Sequence, residues 1–413
     1  MRHWKKLKKS EIRKRVFDAL AENTDFAEKE TLGVPASHLD DKVFYQDAPF
    51  LSDAPFLTTL IKNPNHIGCH TLGTSESFFK GTQEIERELI AICAEDILRA
   101  PAKSCDGYVS SGGTEANMQA IWIYRNYFVR ERGAEHREIA VLCSDDFHYS
   151  MSKAADVLGI RHAAVPVDRE MRSVSEADIA RTVADLKASD VKYFIVVVNM
   201  MTTMFGSVDD PDTYVRALET SEAEFKMHAD GAYGGFIYPF TNADNALDFS
   251  NPHITSVTLD AHKMVQAPYG TGIFIIRKGW MQYANTKEAS YVEGEDYTLI
   301  GSRSGANAVA VWMILMTYGR YGWEEKIAVL MKRTDWLCRE LDGAGVKYFR
   351  NPNANIVTVH AAHVPEETAR RFGLVPDAHG NPAFYKIVVM DHVTIDKLIP
   401  LTKALKAARK TMV

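Results

Sequence analysis

The sequence predicts an α/β protein built on a mainly parallel central sheet covered by helices, followed by a small C-terminal α/β domain. Three observations carry this. From about residue 105, stretches of helical period alternate with short apolar runs. Several runs, YFIVVVNM (193 to 200) among them, are apolar on both faces, as strands between two helical layers are. The chain, at 413 residues, also exceeds the size at which one hydrophobic core usually stops growing.

Taken in order, residues 1 to 62 read as a basic helix and an extended, Pro-containing arm, VPASHLDDKVFYQDAPFLSDAPF, which needs something else to pack on. Residues 63 to 300 form the expected large domain. Its candidate strands are 139 to 144, 162 to 167, 193 to 200, 226 to 230, 256 to 260 and 272 to 277. In such sheets ligands bind outside the carboxyl ends of the strands, so chemistry is sought there. A long apolar helix, GSRSGANAVAVWMILMTYG (301 to 319), opens the expected small domain, 301 to 413. No internal repeat is visible.

Composition narrows the function. A net charge of −6 argues against a nucleic-acid partner, because neutralising phosphates needs a basic surface. The one basic block, MRHWKKLKKSEIRKR, has no apolar signal region after it and reads as a solvated helix. No stretch approaches the roughly 18 apolar residues of a membrane span. Cys69, Cys93, Cys105, Cys143 and Cys338 are odd in number and show no metal-ligand spacing, so they read as reduced thiols of a cytoplasmic protein with no metal site. His66 and His70 stand four apart in NHIGCH, but the intervening Gly speaks against a helical zinc pair.

Five stretches carry chemistry. In GYVSSGGTEAN (107 to 117) a Gly pair and Thr114 precede a helix, so its N-terminal amides make a phosphate cradle or an ordinary cap. In KMHADGAYGG (226 to 235), Asp230 ends a strand, where a carboxylate holds a pyridinium nitrogen protonated or caps a turn. Ala232 falls on the same side and offers a flat surface to a ring. His148 heads a helix in SDDFHYS, placed to stack on a planar group or to cap. Thr202 and Thr203 follow the most apolar strand. In SVTLDAHKMVQAPYGTG (256 to 272), Lys263 stands just past an apolar strand, where a lysine either reaches water or adds as an amine to an aldehyde. Cradle, stacking His, carboxylate and lysine occur in the order that pyridoxal phosphate requires on an α/β sheet.

The chain resembles the group II pyridoxal-phosphate-dependent amino-acid decarboxylases of fold type I, which include glutamate, histidine, tyrosine and aromatic amino-acid decarboxylases. The resemblance spans about residues 65 to 320, with a tail near 384 to 395. It rests on SSGGTEAN, FHYS, TTMFGSVDDP, HADGAYGG, DAHK and GSRSGA. It implies that Lys263 carries the cofactor as an aldimine, that Asp230 pairs with the ring nitrogen, and that His148 and Ala232 lie on the two ring faces. Gly113, Thr114 and His262 would hold the phosphate, and Thr202 the oxygen side of the ring. The residue before Thr202, commonly Gly in that family, is Met201 here. Loss of CO2 from an L-amino acid would leave a quinonoid carbanion and then an amine. Within the polar stretch 283 to 298, similar to the family's catalytic loop, Tyr291 matches the proton donor. Lys386 stands where relatives carry the arginine that grips the substrate carboxylate. A homodimer is implied, its active site at the subunit interface and Ser302 approaching the partner's phosphate.

His66, His70, Phe78 and Phe79 are candidate walls of the substrate pocket. A carbon-carbon lyase of the sphingosine-phosphate-lyase kind shares GGTEAN, the HK lysine and GSRxGA, but no membrane anchor accompanies them. A cofactor-binding protein without catalysis would not need Lys263, Asp230 and Tyr291 together.

Overall fold

The computed structural model describes residues 3–25, 39, 44–45, 47–68, 71, 76–285 and 296–412. A short strand β1 (Asn65–Ile67) precedes seven that form one sheet: β2 (Cys105–Ser110), β3 (Ile139–Ser144), β4 (Arg161–Val165), β5 (Tyr193–Asn199), β6 (Glu224–Gly231), β7 (Ile254–Asp260) and β8 (Gly272–Arg277). Their order is β2-β8-β7-β6-β5-β3-β4. Pairings from β4 to β7 are parallel, and β8 lies antiparallel to both β7 and β2. Only β8 therefore runs against the rest, and β2, β3, β5, β6 and β7 open their carboxyl ends on one edge.

The six apolar runs coincide with β3 to β8 to within two residues. Alternation explains their composition. Phe194, Val196 and Val198 of β5 enter the core on one side of the sheet, and Ile195 and Val197 enter the core on the other. β2 is the strand that hydrophobicity does not announce. Its Asp106 is fully buried, and a Cβ at Gly107 would lie 2.4 Å from the Phe274 carbonyl oxygen, so glycine is what lets β8 pair there.

The helix Lys9–Glu22 buries Ile12, Val16 and Ala19 and turns its lysines outward. β9 (Ser302–Ser304) pairs antiparallel with β1. The chain then leaves through a helix from Gly305 to Gly343, longer than the apolar run that announces it and broken at Gly319, whose φ is 63°. β10 (Tyr348–Phe349), β11 (Ile356–His360), β12 (Val375–Pro376) and β13 (Phe384–Val388) make a second, antiparallel sheet in the order β10-β11-β13-β12. Tyr385 and Ile387 face its own core with Leu337, Leu341 and Val357.

The loop after β5 joins the two sheets. Phe205 packs edge-on against Phe384 (5.3 Å between centroids), and the Thr358 hydroxyl donates to the Met204 carbonyl (3.1 Å). Among the described residues no helix is long and apolar enough to cross a membrane.

Candidate active site

The edge where the parallel strands end collects most of the residues singled out above. After β2, the helix Gly113–Arg132 begins against the ends of β6 and β7. The Gly113 N–H donates to Asp260 Oδ2 (3.1 Å), and a Cβ at 113 would lie 3.1 Å from both Ala232 Cβ and that oxygen. Glycine lets the helix start this close. Beside it, a Cβ at Gly112 would meet nothing within 4 Å. The positive end of the helix thus faces open space flanked by the half-buried Thr114. His262 Nδ1 lies 2.7 Å from Asp260 Oδ1.

Lys263 is not on the strand itself. It sits three residues beyond β7, in a turn closed by its own N–H on the Asp260 carbonyl (3.1 Å), and is half-buried. Its charge is felt by three neighbours. Burial pushes the Lys386 ammonium below the ordinary lysine value, and Lys263 pushes it the same way. Burial also lowers His148, reinforced by Lys263 and opposed by Asp230. Asp260 is raised by burial against the pull of Lys263 and His262.

Asp230, buried at the end of β6, is held at both oxygens. Oδ1 accepts the Ala232 N–H (3.0 Å) and Oδ2 accepts the Asn117 side-chain amide (3.0 Å). Asn117 also donates to Ser150 Oγ (3.1 Å), and Ser150 Oγ lies 2.8 Å from His148 Nδ1. Asn117 and Ser150 are fully buried. Behind them, His228 Nε2 meets Asn117 Oδ1 (3.0 Å) and His228 Nδ1 meets Ser256 Oγ (2.7 Å). Neither Asn117 nor His228 stood among the expected site residues. The signal was available: His228 and Asp230 are two apart on a strand and share a face, and Asn117 lies one helical turn after Gly113.

Thr202 reaches the same edge with its hydroxyl turned into its own loop, 2.7 Å from Ser207 Oγ. Met201 before it has φ 69°, the left-handed region in which glycine is at ease. From the second sheet, Lys386 donates to the Thr203 carbonyl (2.9 Å). β13 thereby brings its lysine from the far side of the seam to the loop after β5, where the Lys263 charge reaches it.

Two expected pocket-wall residues, His66 and Phe79, fall elsewhere. His66 is fully buried, with Nδ1 2.6 Å from Glu86 Oε2 and Nε2 2.9 Å from Thr82 Oγ1. Both ring nitrogens are engaged inside a network that also holds Arg303, so it presents no surface to a substrate. Phe79 is likewise buried. Ser302 is exposed on β9, its hydroxyl accepting from Asn65 Nδ2 (3.1 Å). His70 and Tyr291 lie outside the described residues.

The chemistry of these groups suits pyridoxal phosphate: an open helix N-terminus for a dianionic phosphate, a buried carboxylate for a pyridinium nitrogen and an amine for an aldehyde. The model of the pyridoxal-dependent decarboxylase conserved domain matches residues 69–349. The chain belongs to that family. It is 49% identical over 412 residues to a tryptophan decarboxylase of Clostridium sporogenes, covering 99% of both chains. The fold is also that of L-methionine decarboxylase from Streptomyces sp. 590 (TM-score 0.70, 21% identity, 83% of this chain and 87% of that one). A sphingosine-1-phosphate lyase of Burkholderia pseudomallei shares it (TM-score 0.67, 19% identity, 80% and 77%), a likeness of fold alone. The family member described here is a pyridoxal-phosphate-dependent carboxy-lyase acting on an amino acid.

Proposed function

We propose that this decarboxylase converts an aromatic L-amino acid, tryptophan first among them, to its amine. The substrate class rests on the near full-length similarity to a tryptophan decarboxylase. The site assignment rests on one observation above others: Lys386 reaches from its own sheet across to the Thr203 carbonyl, at the edge where the parallel strands end.

Bound pyridoxal phosphate supplies an aldehyde for the substrate amine and a cationic ring that accepts the electron pair left by CO2. The chain's residues arrange the rest. Gly113, Thr114 and His262 hold the phosphate, Asp230 faces the ring nitrogen, and His148 and Ala232 confine the ring from its two sides. Thr202 borders the oxygen side. Lys263 would hold the cofactor through its aldehyde, its side-chain amine being the nucleophile at this edge. Lys386 exchanges the Thr203 carbonyl for the substrate carboxylate and so aims the bond to be broken. Tyr291 returns a proton to Cα. Two copies related by a two-fold axis complete the site, with Ser302 directed at the partner's phosphate. Exposed Tyr45, Phe50 and Leu57 in the N-terminal arm support a covered face there. Free Cys93, Cys105, Cys143 and Cys338 suit action in the cytoplasm.

A screen of the twenty amino acids for CO2 and amine tests the reading. Tryptophan is expected to lead, with tyrosine and phenylalanine ahead of glutamate and aspartate. Preference for an acidic substrate would overturn the substrate class. Tyr291→Phe is expected to slow amine formation by roughly 100-fold or more, with aldehyde as a by-product. Unchanged turnover without aldehyde would remove Tyr291 from its role.

A further inference from the structure

Behind Asp230 runs a file of buried polar groups that the proposed chemistry does not use. It passes from Asp230 Oδ2 to Asn117, to His228, to Ser256 Oγ and to the Tyr124 hydroxyl, 2.5 Å beyond. Asn117, His228, Ser256 and Tyr124 are each fully buried. Four polar side chains placed in line inside a core that could be apolar call for a purpose, because each must keep its bonds satisfied or destabilise the fold.

The direction of every bond follows from one end. A carboxylate oxygen accepts, so the Asn117 group facing Asp230 is the NH2, and its Oδ1 faces His228. An amide oxygen also only accepts, so His228 carries its proton on Nε2, within reach of the Thr258 hydroxyl as well (3.2 Å). His228 Nδ1 is then an acceptor, Ser256 donates to it, and Tyr124 donates to Ser256. All donors point toward Asp230. Bonds aligned in one sense polarise one another, which strengthens the last of them. Burial suits this, pushing His228 down to about 4 against the pull of Asp230 and of the Ser256 backbone, so the ring is neutral.

Asn117 has a second hydrogen, and it points to Ser150. With that lone pair of Ser150 Oγ occupied, the hydroxyl proton turns to His148 Nδ1, which also receives the Ser150 backbone N–H (3.3 Å). His148 in its neutral form therefore bears its proton on Nε2.

We propose that Asn117 and His228 are positioning residues. The relay from Tyr124 fixes the orientation and charge of Asp230 toward the ring nitrogen, and Asn117 also sets the tautomer of His148. This rests on the reading that Asp230 faces that nitrogen.

The test compares His228→Leu, which cuts the relay, with His228→Gln, whose amide can donate to Asn117 and accept from Ser256. Two measurements on each give the answer: the dissociation constant for pyridoxal phosphate, and the pH at which the visible absorbance of the bound cofactor changes. His228→Leu is expected to weaken binding by roughly 10-fold and to move the absorbance transition, and His228→Gln to recover most of both. Equal behaviour of the two would reduce His228 to a packing residue and overturn the proposal. Should His228→Leu fail to fold, Ser256→Ala interrupts the file one step further out. It is expected to shift the absorbance transition in the same direction by a smaller amount, and a transition left at its wild-type pH would overturn the relay. Nitrogen-15 spectra of histidine-labelled chain without cofactor read the tautomers directly: a proton on Nδ1 of His148 or His228 would likewise overturn it. Asp230→Asn is the control. If it leaves affinity and absorbance untouched, the placement of Asp230 fails; if it changes both while the His228 variants do not, the relay alone fails.

Discussion

The two sides of the site are held in opposite ways. At the end of β6, Asp230 takes a bond on each oxygen, and Asn117 behind it has donors and acceptor all committed, every partner deep in the core. Across the seam, Lys386 is half-buried and among the described residues its ammonium makes one bond, to a loop carbonyl, from a strand of another sheet. The contrast separates two requirements. A group that serves a resident cofactor keeps one geometry through every turnover and can be over-determined. A group that grips and releases substrate has to exchange partners, and a single ammonium on a flexible stem does this with little to break.

The largest effect is expected where the two sides meet. In the proposed reading Lys263→Ala removes the amine on which both depend, so turnover should fall by about 1000-fold or more. The borohydride-reducible adduct should vanish with it. Full-yield labelling of the variant would show that another group holds the aldehyde and that the comparison is drawn around the wrong residue.

On the cofactor side, rigidity should appear as acid sensitivity. Burial pushes His228 down to about 4 in the folded chain, from an ordinary 6.5. Between those values the unfolded chain takes up a proton that the folded chain refuses. The contribution is therefore fully present above 6.5 and is lost as the pH falls toward 4, on a scale of roughly 3 kcal/mol. His228→Gln abolishes this titration, so its urea midpoint should depend less on pH over that interval. Parallel slopes for the variant and the parent would mean that the acid response arises elsewhere.

The sequence disclosed these two sides unequally. Strands β3, β5, β7 and β8 were legible because both faces of each are buried, which leaves an apolar run. β2 was not, since Asp106 and Gly107 are needed there for contacts with residues far along the chain. Among site residues, those at strand ends followed from the order of the motifs. His66 did not, because its partners Glu86, Thr82 and the neighbouring Arg303 come from a helix and from β9, a juxtaposition that no local pattern near NHIGCH contains. Asn117 and His228 lay inside recognised motifs, and only the folded chain shows that they bond to each other.

On the substrate side the expected losses are smaller. Lys386→Met should cut kcat/KM by roughly 10-fold or more, the scale of one charge-assisted hydrogen bond. The pH dependence has a definite sign. Burial and Lys263 lower the Lys386 ammonium, so it loses its proton, and with it the proposed grip on a carboxylate, at a lower pH than an exposed lysine would. KM should accordingly climb as the solution becomes alkaline. Lys386→Arg, which stays charged, should flatten that climb. An alkaline rise in KM that persists in the arginine variant would assign it to another group.

The smallest effect concerns the loop that Lys386 grips. Met201 holds φ 69°, in a region that costs a side-chain-bearing residue roughly 1 to 2 kcal/mol. Its side chain is nevertheless buried in the core, which repays that strain. Removing the side chain should destabilise the chain, yet the usual ranking of small residues should invert. In most positions glycine is less stable than alanine, because it frees the unfolded backbone. At 201, alanine keeps the strain and glycine relieves it, so Met201→Gly should be more stable than Met201→Ala by about 1 kcal/mol. In both variants KM should rise as the Thr203 carbonyl loses its fixed place. Thermal midpoints of the two variants decide the first point. An alanine variant at least as stable as the glycine variant would mean that the loop relaxes out of its left-handed turn, and that the substrate side is softer than its single bond to Lys386 implies.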